Sequence, residues 1–518
     1  MGSRLGSRNL GVRHPHRLAV CEGPFETRAK PLGRRLRSSL DGGFVPMRRI
    51  VSLSDICITI PSPHKEPTLN TPTTPSTQLE RPTPLLRLVT LRIIPFLLLC
   101  WLMAFIDRVN IGFAQLQIKQ DLGFGDAIYG LGAGIFFIGY VLFEVPSNIY
   151  LEKIGARKTF SRIMICWGAT SSLTMLIRTP EHFYIMRFLL GACEAGFFPG
   201  LVFYLSCWFP ESYRARVISW FFVTSAFSGI VGGMMSGTIL HYLDGANGLR
   251  GWQWMFMMEG IPSIILGIVA IFYLDDSIDE ARWLDAGQKV ELKELLRPEV
   301  SRKPEKIRFR DLFGDPYVYI LAIAYFSLNS GNFGLGFWLP TILKDFGIRD
   351  PFMIGMWSAV PYAIGSIGIA IISGSSDRRQ ERRWHLLACT VFGGLALASL
   401  TLHVQAFWLV ILQLTVAIAF MYGGMPLFWA VPFKELNTKA LAGKIALVSS
   451  LGQLGGFAAP YALGLIKAAT GRLDTGLIAL GALFAAGGVL VWITARSHRQ
   501  ASATFPAQSL ASAENPET

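Results

Sequence analysis

Twelve stretches of about twenty mostly apolar residues follow one another along this chain, centred near Leu102, Phe137, Ser171, Leu189, Ile230, Ile264, Leu328, Ile364, Gly394, Leu414, Leu454 and Gly488. At 1.5 Å of helical rise per residue, each is long enough to cross a hydrocarbon core about 30 Å thick. The alternating strands of about ten residues that build a membrane barrel are absent. The expectation is an all-α membrane protein with twelve transmembrane helices. A composition of 51% hydrophobic and 16% charged residues agrees with it.

The formal net charge of +13 is carried largely by one set of loops. Lys153, Arg157 and Lys158 follow the second span, Arg214 and Arg216 the fourth, and Arg378, Arg379, Arg382 and Arg383 the eighth, while the alternate connections are short and poor in arginine. By the positive-inside rule, those loops, both termini and the link 275–315 face the cytoplasm. Basic residues dispersed over every second loop argue against nucleic acid as a partner. Membrane lipid is the implied surrounding.

Residues 1–90 differ in character: arginines up to Arg49, then a Pro/Thr-rich run from Thr68 to Pro84. No apolar run of a secretory signal follows the early arginines, disorder is the default, and Met47 offers an alternative start. The seven cysteines neither pair by spacing nor cluster with histidines, so no disulfide framework, metal site or cofactor is implied. No nucleophile–base set or phosphate-cradling glycine loop points to an enzyme.

Past the tail, an internal echo divides the chain. Leu151-Glu152-Lys153-Ile154-Gly155-Ala156-Arg157-Lys158 after the second span is matched by Gly374-Ser375-Ser376-Asp377-Arg378-Arg379 after the eighth, about 225 residues later. An acid followed by a base at the same place in two six-helix halves is the mark of transporters built from repeats. The expected organisation is a tail 1–90, a first bundle 91–274, a cytoplasmic link 275–315, a second bundle 316–496 and a tail 497–518.

Four ionisable residues stand out at membrane depth: Asp107 and Arg108 in the first span, Arg187 and Glu194 in the fourth. Each costs roughly 2.5–3.5 kcal/mol at a helix centre, so together they read as a site. Arg187, Gly191 and Glu194 fall at i, i+4 and i+7 on one stripe, with Gly191 leaving room between the charges. Arginine offers a carboxylate a planar fork of donors. A desolvated glutamate beside it has a proton affinity that depends on site occupancy. Asp107 and Arg108 point about 100° apart, so at least one must look across the bundle for a partner. A buried ion-pair network that only joins helices is the alternative role.

Several segments resemble the anion:cation symporter branch of the major facilitator superfamily over about Arg92–Ala495. They are Asp107-Arg108-Val109-Asn110-Ile111-Gly112-Phe113-Ala114, GYVLFEVPSN from Gly139, Glu194-Ala195-Gly196-Phe197-Phe198-Pro199-Gly200, GWQWMFMMEGIP from Gly251 and LGQLGGFAAPYALG from Leu451. The resemblance implies a major facilitator fold, a monomer in the plasma (bacterial inner) membrane, and proton-driven import of a small organic anion of the tartrate, phthalate or hydroxyphenylacetate kind. It assigns Arg108 and Arg187 to the substrate carboxylate, Asp107 and Glu194 to the coupling protons, and a substrate-facing role to Tyr140.

Asn329 and Asn332 in the seventh span and Ser449 and Gln453 in the eleventh are further substrate-binding candidates, with interhelical hydrogen bonding as the alternative. Asparagines usually occupy the positions of Ser449 and Gln453 in that branch, and small residues stand where this chain has Phe433-Lys434-Glu435. The loop residues Glu152, Lys153, Gly155, Arg157, Asp377 and Arg378 are candidate gating latches. Gly229, Gly232, Gly233 and Gly237 permit close helix approach. Two rival functions remain: a non-transporting receptor for the same anion, and an organophosphate:phosphate antiporter. The second is disfavoured by a seventh span without a central cation.

Overall fold

Helix starts are written plainly into this sequence. Thr83-Pro84, Thr179-Pro180 and Asp315-Pro316 each place a capping oxygen before a proline that needs no hydrogen-bond partner. The Asp315 carboxylate, for example, accepts from the Tyr317 amide at 3.0 Å. A computed structural model describes residues 83–300, 314–379, 381–402, 406–429 and 441–503. Residues 1–82 of the expected tail, 301–313 of the link, Phe433-Lys434-Glu435 and 504–518 lie outside the described residues.

The described chain forms twelve spans. Six make the first half: Pro84–Asp121, Asp126–Ile154, Ala156–Leu173, Pro180–Trp208, Glu211–Tyr242 and Gly251–Tyr273. The link carries a short helix, Ala286–Val300. Six more make the second half: Pro316–Asp345, Pro351–Arg379, Arg383–Ser399, Phe407–Trp429, Leu441–Thr470 and Asp474–Ala503. No strand occurs among the described residues. Ten of these helices are long and apolar enough to cross a membrane on length and composition alone. The third falls short because its eighteen residues include Arg157, Lys158 and Arg162, and the eleventh because glycines and polar residues such as Gln453 dilute its apolar run.

The third span is displaced from its expected centre. Ser171 stands near the end of Ala156–Leu173, because the helix starts directly after Gly155 and takes Arg157, Lys158 and Arg162 into its first turns. The first span runs on through Asn110, whose backbone stays helical (φ −56°, ψ −29°), and the fourth is interrupted. Extended Ala195 and left-handed Gly196 (φ 86°) separate Pro180–Glu194 from Phe197–Trp208. A Cβ at Gly196 would also meet the Ser147 hydroxyl at 2.5 Å, so both conformation and space require glycine there.

Spans 7 and 11 are pinned at both ends, by Lys444 to Asp315 (2.6 Å) and by Lys467 to Asp345. The halves meet along spans 5 and 8 and along spans 2 and 11, where backbones approach through glycine. A Cβ at Gly237 would lie 2.8 Å from Gly355 Cα, and one at Gly130 would lie 3.0 Å from Gly464 Cα. These contacts crowd toward the end that carries Asp121, Tyr242 and Asp345. There His241 Nδ1 pairs with Asp350 at 2.7 Å, and the Tyr129 hydroxyl and Gln115 amide donate to the Phe337 carbonyl at 2.8 and 3.3 Å. Toward the opposite end, the second and eighth spans expose Leu142, Phe143, Ile367 and Ile371.

Replacing Gly355 with leucine should wedge spans 5 and 8 apart. In a His241→Cys/Asp350→Cys background, oxidative cross-linking is expected to fall several-fold; an undiminished yield would contradict the packing described.

Candidate functional site

Arg108 lies within the first span, whose helical hydrogen bonds run on through Asn110, and Glu194 closes Pro180–Glu194 at the break in the fourth. Arg108 Nη2 donates to Glu194 Oε1 in a pair whose side chains are 6% and 2% exposed. A carboxylate at a helix C-terminus is disfavoured by the macrodipole, so Glu194 depends on Arg108 as its counterion. Glu194 Oε2 and Arg108 Nε have no partner among the described residues.

Arg187 lies about two turns before Glu194 on the same helix. Its Nε donates to the Gly132 carbonyl at 3.3 Å, while Nη1 and Nη2 are buried without partners. Arg108 and Arg187 share one ring: their guanidinium carbons lie 5.2 and 5.3 Å from the centre of Phe136. Tyr140, one turn on, is 5.4 Å from Arg108. The structure therefore brings Arg108, Arg187, Glu194 and Tyr140 together. Gly191 serves differently from the spacing argument. A Cβ there would strike the Phe136 carbonyl, so the glycine admits the backbone of the second span instead of opening space between the charges.

Asp107 turns the other way, into the core of the first half. Its Oδ1 accepts from Ser171 at 2.6 Å, and Oδ2 accepts from Trp167 at 2.7 Å and Ser263 at 2.9 Å. Three neutral donors from the third and sixth spans thus hold it, and no cation pairs with it among the described residues.

Asn329 Nδ2 donates to the Gly452 carbonyl at 3.1 Å and to Gln453 Oε1 at 3.4 Å, joining spans 7 and 11. Asn332 donates to Leu328 one turn back at 3.0 Å, leaving its Oδ1 buried and unpartnered. Ser449 is half-buried, and it is the next residue, Ser450, that crosses between the halves to Glu144 Oε2 at 3.1 Å. The Arg157 amide donates to Asp276 at 2.7 Å, with that carboxylate seated against left-handed Gly155 (φ 89°), and Arg382 reaches Asp377 at 3.5 Å. Lys153 and Arg378 are exposed, and the Glu152 side chain lies outside the described residues.

Two membrane-depth carboxylates were missed by the count of four. Glu144 is 7% exposed, and fully buried Glu259 accepts from Ser236 at 2.7 Å. Each is a lone acid in an apolar run, the same signal that marks Asp107 and Glu194. Two cavities, of about 590 and 480 Å³, open near Asp345, and neither is lined by the four buried charges. Those charges sit in closed packing, where low polarisability strengthens every pairing.

Comparison with known proteins places this architecture. The sequence profile of the Major Facilitator Superfamily matches residues 97–460. The chain is 41% identical to "Putative metabolite transport protein NicT" of Pseudomonas putida over 75% of its length and 89% of the relative's. It is 40% identical to a "Putative tartrate transporter" of Agrobacterium vitis over 81% and 93%. Among solved structures, the xylose transporter XylE of E. coli superposes with a TM-score of 0.61 at 14% identity, covering 78% of this chain and 99% of that one, a likeness of fold. The chain belongs to the Major Facilitator Superfamily. It is an integral membrane transporter of small organic substrates.

Trp167→Phe removes one of the three donors to Asp107 and should destabilise the first half by about 1–3 kcal/mol, read as a lower Tm in detergent. An unchanged Tm would show that the Trp167 bond contributes nothing.

Proposed function

We propose that this transporter imports a small organic carboxylate together with protons by alternating access. The observation that carries the proposal is Arg187: two buried guanidinium nitrogens without partners, beside an Arg108–Glu194 pair that shares the Phe136 ring. A carboxylate entering there takes the Arg187 fork and competes with Glu194 for Arg108. Glu194, displaced from its counterion in a dry site, then takes a proton, because an unpaired buried charge is several kcal/mol more costly than a neutral acid. Loading and protonation become one event.

The membrane potential gives the proton its purpose. An anion moving inward works against about 2.3 kcal/mol per charge for every 100 mV of inside-negative potential, and one proton cancels one charge. Asp107 is the proposed second proton carrier. Its Oδ1 accepts a single hydrogen bond and so keeps one lone pair for a proton, whereas Glu194 has a whole oxygen without a partner. With the termini in the cytoplasm of a plasma (inner) membrane, the crowded end becomes the outer gate and the chain is closed outward. Arg157 and Asp377, on the inner face, would take part in closing it when it shuts. A monomer contains every residue this scheme uses.

In proteoliposomes, Glu194→Gln is expected to retain substrate exchange and lose accumulation against a gradient; undiminished accumulation would overturn the proton role. Arg187→Lys keeps the charge and removes the fork, and should raise KM about tenfold. Two coupled protons predict an inward current evoked by a monoanion, and electroneutral uptake would reduce the count to one.

A further inference from the structure

The walls around the two guanidinium groups are rings. Arg108 Cζ lies 5.1, 5.2, 5.4 and 5.8 Å from the centres of Phe105, Phe136, Tyr140 and Phe333. These come from the first, second and seventh spans, so both halves contribute to one aromatic cage. Behind it, Phe137 packs against Phe333 at 4.6 Å.

Most polar groups flanking Phe333 are engaged. Asn329 donates to the Gly452 carbonyl and Gln453 Oε1, Asn332 donates to the Leu328 carbonyl, and the Ser330 hydroxyl donates to Phe326 at 2.8 Å. What remains for a ligand is the unpartnered edge of Arg187, Arg108 Nε, one oxygen of Glu194 and a single amide acceptor, Asn332 Oδ1. Such a site offers cationic donors at one point and aromatic carbon around it.

We propose that the site selects a flat, ring-bearing carboxylate, of the hydroxyphenylacetate or phthalate kind, over a polyhydroxy acid such as tartrate or a hexonate. The proposal rests on the carboxylate-importer reading above and narrows its substrate. The carboxylate engages the arginines, and the ring lies against Phe136, Tyr140 and Phe333 in offset or edge contact. A ring-on-ring contact favours binding about two- to tenfold beyond simple burial. A buried hydroxyl facing carbon loses its water without replacement, which lowers affinity about tenfold for each one stranded. Tartrate carries two such groups and a hexonate more.

The test is initial-rate uptake by the full-length protein in proteoliposomes, with labelled hydroxyphenylacetate, phthalate, tartrate and gluconate as probes. Wild type should show kcat/KM at least about tenfold higher for hydroxyphenylacetate than for tartrate or gluconate. Phe333→Leu, which keeps apolar bulk and loses the ring, should cut that ratio about fivefold. Equal or greater efficiency for tartrate or gluconate overturns the aromatic selection and leaves the carboxylate importer standing. Uptake of none of the four overturns the importer reading itself. An unchanged ratio in Phe333→Leu removes the cage from specificity. If that variant does not fold, competition in wild type decides: benzoate should inhibit several-fold better than cyclohexanecarboxylate, and equal inhibition contradicts a role for aromatic contact.

Discussion

An arginine and a glutamate joined out of reach of water, at the point where the fourth span breaks, set the terms for everything else in this molecule. Glu194 could not stay charged alone in such surroundings, since removing one partner from a buried pair typically costs 3–5 kcal/mol, whereas a guanidinium keeps its charge. Its protonation is therefore conditional on Arg108. A second anion that claims the arginine obliges the glutamate to change its protonation, and the same packing that makes the pair costly to break makes it responsive. Arg187 supplies the place for that anion to arrive, with its outer nitrogens unengaged two turns along the stripe.

The surrounding architecture divides between parts that hold and parts that can separate. Asp107, bound by Trp167, Ser171 and Ser263, ties the first, third and sixth spans into one block, and the two lysine–aspartate pairs tie the seventh to the eleventh. The contacts between halves have another chemistry. Among the described residues they are glycine-on-backbone approaches, single hydrogen bonds such as Ser450 to Glu144 and the exposed His241–Asp350 pair. Strong interactions inside the bundles and light ones between them are what a rocking mechanism requires.

The fold was legible because length and apolarity are recorded directly in the sequence: twelve blocks, a repeated acid–base loop and threonine or aspartate before proline at helix starts. Legibility failed where polarity had a partner in another span. The third span was centred too late because Arg157, Lys158 and Arg162 in its first turns resemble a cytoplasmic loop, and periodicity carries no information about which helix lies opposite. The stripe of Arg187, Gly191 and Glu194 was readable from 3.6-residue geometry. That Asp107 faces inward while Arg108 faces Glu194 was not, since adjacent residues 100° apart leave both assignments open. Gly191 was noticed for its size and given the wrong occupant, because the backbone it admits comes from a distant part of the chain. Glu144 and Glu259 carried the same signal as the acids that were singled out.

Coupling between anion and proton through one shared arginine can be measured without a membrane gradient. Adding a transported carboxylate to purified protein in weakly buffered detergent should draw protons from solution, and that uptake should fall by one proton per transporter in Glu194→Gln while the carboxylate still binds. Binding in wild type with no change in solution pH, or identical proton uptake in the variant, would contradict the account.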